Sequence, residues 1–235
     1  MRVRPFSRIP KPALLLLSLG LCAQLYWHTA HPDHAPQAEN LPVPASLPTL
    51  RLAGLGEPDA LARLLLLYLQ SFDDQPGVTA AFQKLDYTRM TNWLDISLAL
   101  EPRSQYPLFL ASRIYGSVGD TVKKSQMFEF VYRKFFDDPN RRWESLAYAA
   151  VMTRHQLNDL PTAHRYASAL FEHTTAAQVP DWVRQMDIFM LEDMQQYQPA
   201  LTLLDRLLQS GQVTNPEALH FLNERRQQLV TEAAQ

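Results

Sequence analysis

The sequence has very little cysteine and glycine, and each scarcity excludes a class of protein. Its 235 residues include one cysteine and seven glycines. A single cysteine cannot form an intrachain disulfide, and it cannot supply a multi-cysteine zinc or iron–sulfur site. The glycines form no GxGxxG or GxxxxGK[ST] motif, and neither GxSxG nor HExxH occurs. We therefore expect a non-catalytic protein that carries no cofactor.

The chain also lacks an excess of charge of either sign. Lys and Arg total 22 and Asp and Glu total 24, which gives a formal net charge of -2. Because nucleic-acid binders usually carry a strong basic footprint, no nucleic-acid partner is expected. Hydrophobic residues make up 46% of the chain and charged residues 20%. This composition permits a buried core and excludes global disorder.

The first 30 residues resemble a membrane-targeting signal. Residues 1–12 hold four basic residues and no acidic one, and residues 13–27 are then mostly apolar. A basic flank before an apolar run is typical of a secretory signal peptide or a short membrane anchor. We favour an uncleaved anchor over residues 13–30, because small residues are poorly placed for signal cleavage. A cleaved signal and a lipoprotein modified at Cys22 remain alternatives, although Leu21 departs from the small residue that lipoproteins have there.

The distribution of charge predicts the orientation of this anchor. After residue 30 the chain holds 18 of its 22 basic residues and all 24 acidic ones. The positive-inside rule then places the N-terminus in the cytoplasm and the rest of the chain outside the membrane. Since no cysteine follows the anchor, nothing in the exported part depends on an oxidising compartment. A single-pass inner-membrane protein with a periplasmic C-terminal domain is the expected arrangement.

Proline predicts a linker over residues 31–56. Five prolines fall in this stretch, which favours an extended, partly polyproline-like chain. His28, His31 and His34 are spaced by three residues just after the apolar run, and three imidazoles so placed could bind a metal. Pro32 prevents the single helix that would align them, so no metal site is expected.

From residue 57 onward the spacing of apolar residues is helical. The pattern i, i+3, i+4, i+7 begins with Leu61, Leu64, Leu65 and Tyr68. Similar apolar faces recur in segments of roughly 12–16 residues that end in short polar turns, and no segment keeps the period of 2 typical of strands. The sequence therefore predicts an all-α domain over residues 57–235.

Polar turns recur at intervals of 34, 39 and 37 residues. They lie at Leu85-Asp86, Gly119-Asp120, Asn158-Asp159 and Gln196-Tyr197. With closing prolines at Pro102 and Pro139, and with Ala163 and Ala200 at predicted helix crossings, residues 71–213 resemble tetratricopeptide repeats. The resemblance implies a right-handed α-solenoid of helix pairs. In that family the first helix of each pair lines a concave face, which binds an extended peptide or a partner helix.

The repeats are irregular, and a capping helix is predicted at the C-terminal end. Met90 and Lys124 stand where the family usually has alanine, and the third and fourth repeats lack the closing proline. Asn215 can cap a last helix that has Pro216 at its first position. Such a helix would give the final repeat the polar outer face that terminal repeats need.

Four arginines are the candidate partner-binding residues. The predicted register places Arg113 and Arg154 on the concave face, one repeat apart. Arg141 and Arg142 precede Trp143, and a basic pair beside an aromatic ring could bind a carboxylate or a lipid phosphate. The same pattern also marks the start of a helix whose tryptophan is buried, and this structural interpretation is favoured for the pair.

These observations predict a membrane-anchored interaction scaffold of the bacterial cell envelope, which binds a partner peptide or helix in its groove. The alternative is an accessory module for lipid or polysaccharide handling, or a regulatory subunit of a membrane enzyme complex. The concave surface would discriminate between them. Exposed polar and aromatic side chains there favour a peptide, whereas a deep apolar slot favours a lipid chain.

Overall fold

The computed structural model describes residues 11–30, 39–75, 78, 81–211, 213 and 215–233. These residues form twelve α-helices and no β-strand, apart from an isolated bridge between Gln75 and Val78. The fold is therefore all-α, as the apolar spacing predicts. Residues 1–10, which make up most of the predicted basic segment 1–12, lie outside the described residues. His31 and His34 of the predicted linker also lie outside them.

The helices are numbered in chain order. They are α1 (Lys11–Ala30), α2 (Leu47–Ala53), α3 (Pro58–Gln70), α4 (Ala81–Lys84), α5 (Tyr87–Leu100), α6 (Tyr106–Phe109), α7 (Thr121–Phe135), α8 (Pro139–Met152), α9 (Leu160–His173), α10 (Asp181–Asp193), α11 (Tyr197–Gln209) and α12 (Pro216–Ala233). Helix α6 continues into a π-helical turn, Leu110–Ile114, and a 3-10 turn, Tyr115–Ser117. Helix α8 continues into a second π-helical turn, Thr153–Leu157.

Acidic side chains start three helices at the predicted turns. Asp86, Asp120 and Asp159 accept hydrogen bonds from backbone N–H groups in the first turns of α5, α7 and α9. These bonds satisfy donors that have no partner inside the helix. Asn158 has a φ of 52°, in the left-handed region that asparagine tolerates better than most residues. Asn215 likewise accepts from the N–H groups of the first turn of α12.

Most long helices pack against the next long helix along the chain. The main contacts join α3 to α5, α7 to α8, α8 to α9, α9 to α10, α10 to α11 and α11 to α12. One core cluster runs from Leu41 to Met190. A second cluster, from Ile188 to Leu229, joins α10 and α11 to the C-terminal α12. Helix α12 therefore packs against the last two helices before it, and its role as the cap of a solenoid stays a prediction.

Residues 39–56 belong to the folded domain, which corrects the predicted boundary at residue 57. Leu41 is fully buried, and its carbonyl accepts a hydrogen bond from Arg89 at 2.8 Å. The carbonyl of Pro42 accepts from the indole N–H of Trp93 at 2.8 Å. Helix α2 also lies within this stretch. The prolines predict an extended backbone here, but they carry no information on which distant side chains cover it.

Helix α1 exposes leucines at consecutive positions. Leu15, Leu16 and Leu17 are 62%, 69% and 71% exposed. Because consecutive helix residues point about 100° apart, α1 is apolar on several sides. Among the described residues, no helix combines the length and apolar character that crossing a membrane requires. The anchoring role of residues 13–30 stays a prediction.

Overpacking at Ala163 is expected to destabilise the domain. Ala163 is completely buried in the core cluster, so the leucine of Ala163→Leu would force neighbouring helices apart. We expect a loss of about 1–3 kcal/mol in the free energy of unfolding, measured by urea denaturation. The matched control is Ala60→Leu on an exposed position of α3, with a change of at most about 0.5 kcal/mol. Equal losses for both variants would contradict close packing at Ala163.

Candidate functional site

A cavity of about 220 Å³ lies between α6 and α8. We call it the α6–α8 cavity, and it is lined by Gln105, Tyr106, Leu108, Phe109, Arg113, Arg141, Arg142, Glu144 and Ser145. Three of the four arginines predicted to bind a partner therefore lie around one cavity. The fourth, Arg154, does not line it.

Two aromatic rings form one wall of the cavity. Tyr106 and Phe109 are 45% and 42% exposed, and their rings stack with centroids 6.1 Å apart and planes inclined by 12°. Three residues apart, they lie on the same face of α6, while Leu108 is buried. The Tyr106 hydroxyl bonds to the Gln70 side chain, whose amide nitrogen lies 3.1 Å away. That bond fixes the ring against α3 and leaves its face accessible.

The guanidinium of Arg113 lies over an aromatic ring of the neighbouring helix. Its central carbon is 4.4 Å from the centroid of the Tyr148 ring on α8. Arg113 is exposed and has no ion-pair partner in the part of the chain that the structure describes. Stacking on Tyr148 orients the guanidinium and leaves its N–H edge available for a carboxylate.

Arg141 lies at the start of α8 on the opposite wall. Its side chain is exposed, donates to the carbonyl of Arg103 at 3.3 Å, and lies 3.6 Å from the Asp138 carboxylate. The Arg141 carbonyl accepts from the Gln105 side chain at 3.0 Å. An exposed, loosely paired guanidinium of this kind keeps donors for a ligand, but its charge is partly balanced by Asp138.

Arg142 has a structural role, the interpretation favoured above for this pair, and not the partner-binding role that was its alternative. It is 5% exposed, donates to the carbonyl of Pro102 at 2.9 Å and to that of Lys134, and pairs with Asp137 at 2.8 Å. Lys134 lies in the last turn of α7, where carbonyls lack partners within the helix. The guanidinium is therefore committed to the junction between helices.

Arg184, which the sequence analysis did not single out, has the equivalent role in α10. It is 3% exposed and donates to the carbonyls of Thr174 and Ala176 at 3.0 and 3.2 Å. Like Arg142, it is the fourth residue of its helix. An arginine at that position, in a helix whose first residue is a proline (Pro139) or follows one (Pro180), is the sequence signal that could have identified both.

Arg154 joins two helices away from the α6–α8 cavity. It lies in the π-helical turn after α8, and its guanidinium is 2.5 Å from the Asp193 carboxylate on α10. Both side chains are about one-third exposed. A π-helical turn is wider than an α-helical one and shifts the residues that follow. The sequence prediction assumed regular α-helices. It therefore could not show that Arg154 has an ion-pair partner and Arg113 has none among the described residues.

Two carboxyl groups outside the cavity have raised pKa values. Burial raises the pKa of Asp187 on α10 to about 7, and the imidazole Nε2 of His164 on α9 lies 3.2 Å from it. Burial lowers the pKa of His164. Burial also raises the pKa of Asp73 to about 6, although the hydroxyl of Tyr115 opposes this shift by donating at 3.0 Å.

The Asp187 carboxyl is expected to make stability depend on pH. Because its folded-state pKa lies above the ordinary value of about 3.9, the stability contributed by its protonated form is complete below about pH 4 and is lost as the pH rises through about 7. Asp187→Asn removes this titration, so the fall in the free energy of unfolding between about pH 4 and 8 should shrink by about 2–4 kcal/mol. Denaturant titrations across this pH range measure it.

The matched control for this titration is the exposed Asp74 in the loop before α4. Asp74→Asn removes an exposed carboxylate and should change the free energy of unfolding by at most about 0.5 kcal/mol. A variant at Asp187 that keeps the full slope would show that another group titrates.

Larger cavities among the described residues include those of about 430, 350 and 480 Å³. Each has at least one charged side chain in its lining, for example Glu232, Lys134 and Arg165. A deep, wholly apolar slot of the kind that holds an acyl chain is therefore not among these cavities. Within the described ranges, no three His, Cys, Asp or Glu side chains are grouped so that they could hold a metal ion.

The chain matches no family model, and neither the curated proteins nor the solved structures include a match to it.

Proposed function

We propose that the protein is a non-catalytic interaction scaffold that binds a partner peptide or helix through the α6–α8 cavity. One observation carries the proposal: two exposed aromatic rings lie beside Arg113, which Tyr148 orients and which has no ion-pair partner in the described ranges. Aromatic and arginine side chains dominate the binding energy of many protein interfaces. The expected partner segment carries an apolar side chain close to a carboxylate.

Contacts between residues about 36 apart support a repeat architecture of the tetratricopeptide type. Such contacts join Gln70 to Tyr106, Gln105 to Arg141, Asn140 to Thr175, Glu129 to Arg165 and Glu172 to Arg206. Their separations of 34 to 36 residues are expected when equivalent positions of successive helix pairs face one another. In the proposed right-handed solenoid, α3, α6, α8 and α10 are the first helices of the pairs and line the concave face.

The proposed scaffold is attached to the inner membrane of a bacterial envelope by residues 13–30. The exposed leucines of α1 and the basic residues that precede them support this attachment. The N-terminus is then cytoplasmic and the helical domain periplasmic. Residues 31–38 separate α1 from the described domain, and even fully extended they reach about 30 Å. The described start of the domain would therefore lie close to the membrane surface.

Polysaccharide handling is the second candidate function. The stacked rings of Tyr106 and Phe109 favour it, since flat exposed aromatic faces can also receive a sugar ring. Lipid handling is less well supported, because the cavities described above carry charged side chains in their linings. A regulatory subunit of a membrane enzyme complex would use the same peptide-binding surface, so the experiment below bears on it equally.

Charge reversal at Arg113 is expected to abolish capture of the partner. A photo-crosslinking amino acid at Phe109, in a C-terminally tagged full chain, would trap whatever occupies the cavity in intact cells. Arg113→Glu should remove the trapped protein, because the new carboxylate repels the acidic residue of the partner. Stability should change by at most about 0.5 kcal/mol, since Arg113 is exposed.

Arg133→Glu is the matched control. Arg133 is exposed on α7, outside the cavity, and its reversal should leave the trapped protein unchanged. A trapped protein that survives Arg113→Glu would place the binding site elsewhere. A trapped glycan, lost on Tyr106→Ala but kept in Arg113→Glu, would favour the second candidate.

A further inference from the structure

The corner between α2 and α3 exposes large apolar side chains. Leu52 is 79% exposed, Leu55 is 90% exposed, and Leu64 and Leu67 are 61% and 64% exposed. Leu64 and Leu67 lie on the face of α3 opposite the one that it buries. Helix α3 is therefore apolar on both faces, and its outer face continues the apolar surface of the corner. Exposed apolar surface of this extent marks a site of contact with another apolar phase.

Leu55 forms the tip of this corner in a backbone conformation that is unfavourable for leucine. Its φ is 49°, and it stands between Gly54 and Gly56, the latter with a φ of 94°. Glycine adopts the left-handed region freely, whereas a residue with a Cβ is strained there. Glycine at this position would form the same turn without backbone strain. A leucine that is strained and almost fully exposed contributes little to folding, which points to a role outside the domain.

The charges around the corner are balanced. The exposed charged residues in this part of the sequence are Arg51, Glu57, Asp59 and Arg63. Arg63 is also paired with Glu101 at 2.8 Å. A strongly charged partner surface therefore has nothing to pair with here, and attraction depends on the apolar side chains. An electrically neutral apolar phase is the occupant that fits.

The corner also lies close along the chain to α1. Only residues 31–38 lie between α1 and the described start of the domain, a reach of about 30 Å at most. If α1 enters a bilayer, residue 39 stays within about 30 Å of the end of α1, so the corner that follows it in the chain can reach the surface of that bilayer. Leucines at such a surface gain free energy by entering the boundary between headgroups and acyl chains.

We infer that the α2–α3 corner inserts Leu52 and Leu55 into the bilayer that α1 enters. This second contact would hold the helical domain against the membrane instead of leaving it on a free tether. The inference rests on the attachment proposed for residues 13–30. The two can be separated because Cys22, in α1, is the sole cysteine and is exposed.

The test uses the full chain reconstituted into neutral phosphatidylcholine vesicles. An environment-sensitive NBD probe is attached to Cys22 in the first sample. In two further samples Cys22 is replaced by serine, and the probe is attached to Leu55→Cys or to Val122→Cys. Val122 is the control, since it is 75% exposed at the start of α7. We expect doxyl-labelled lipids to quench the probes at positions 22 and 55, with blue-shifted emission, and to leave position 122 unquenched. Raising the salt concentration should not change the result, because the charges are balanced.

A second variant tests the role of the leucines without unfolding the corner. Leu55→Gly relieves the strained φ, and Leu52→Ser removes the other exposed side chain. In this double variant, a probe at Leu64→Cys should lose the lipid quenching that it shows when both leucines are present. Quenching that survives the double variant would overturn the inference.

The other outcomes are equally decisive. Quenching at position 22 without quenching at position 55 overturns the inference and leaves the attachment standing. If neither probe is quenched, both the insertion of the corner and the attachment through residues 13–30 are overturned. The probe at position 55 could instead show a blue shift without lipid quenching, together with energy transfer between labelled chains that grows with protein concentration. This outcome would assign the corner to a second copy of the chain and overturn the inference.

Discussion

Replacing Arg184 with methionine is expected to lower the free energy of unfolding by about 3 kcal/mol. The guanidinium is 3% exposed and donates to the carbonyls of Thr174 and Ala176, which follow the end of α9. Methionine fills a similar volume but donates no hydrogen bond. Both carbonyls and the partly buried Asp181, 3.5 Å from Arg184, would then lose a partner. Urea denaturation followed by circular dichroism measures the loss.

The matched control is Arg103→Met. Arg103 is exposed, so its replacement should change stability by at most about 0.5 kcal/mol. Arg142→Met should resemble Arg184→Met, because Arg142 donates to the carbonyls of Pro102 and Lys134 in the same way. If all three variants unfold at the same urea concentration, water must satisfy the carbonyls and the buried arginines are not structural.

Deleting residues 1–56 is expected to destabilise the domain by several kcal/mol more than deleting residues 1–38. The longer deletion removes Leu41, which is fully buried, and the Pro42 carbonyl that accepts from Trp93. It also removes α2, whose Leu50 packs with Ala62 and Leu100. Exposing that core and leaving a buried indole N–H without its acceptor both lower stability. Thermal and urea unfolding of the two truncated chains give the comparison.

A point variant separates the contribution of Leu41 from the rest of the deleted segment. Leu41→Ala should cost about 2–4 kcal/mol, the usual range for a buried leucine. Val43→Ala is the control, since Val43 is 70% exposed and its truncation should be nearly neutral. Equal stability of chains 39–235 and 57–235 would instead support the extended linker that the prolines predict.

The sequence by itself determined that the fold is helical and marked where several helices begin. Apolar residues spaced for a helix, and the absence of alternation, predict an all-α fold that the structure confirms. Asp86, Asp120 and Asp159 mark helix starts because the bonds they make reach only two or three residues along the chain. Such local hydrogen bonding can be predicted from neighbouring residues, without knowledge of which helices pack together.

The tertiary structure alone decided which polar and apolar residues are buried. Arg141 and Arg142 are neighbours in sequence, yet one is exposed at the cavity and the other is enclosed by carbonyls from α7 and the segment after α5. Leu41 is buried by α5, whose residues lie nearly 50 positions further along the chain. Arg113 and Arg154 differ because Arg154 forms an ion pair with Asp193 on α10, whereas Arg113 stacks on Tyr148 and has no ion-pair partner in the described ranges. Each outcome depends on partners distant in sequence, and two π-helical turns shift the register that a regular helix would give.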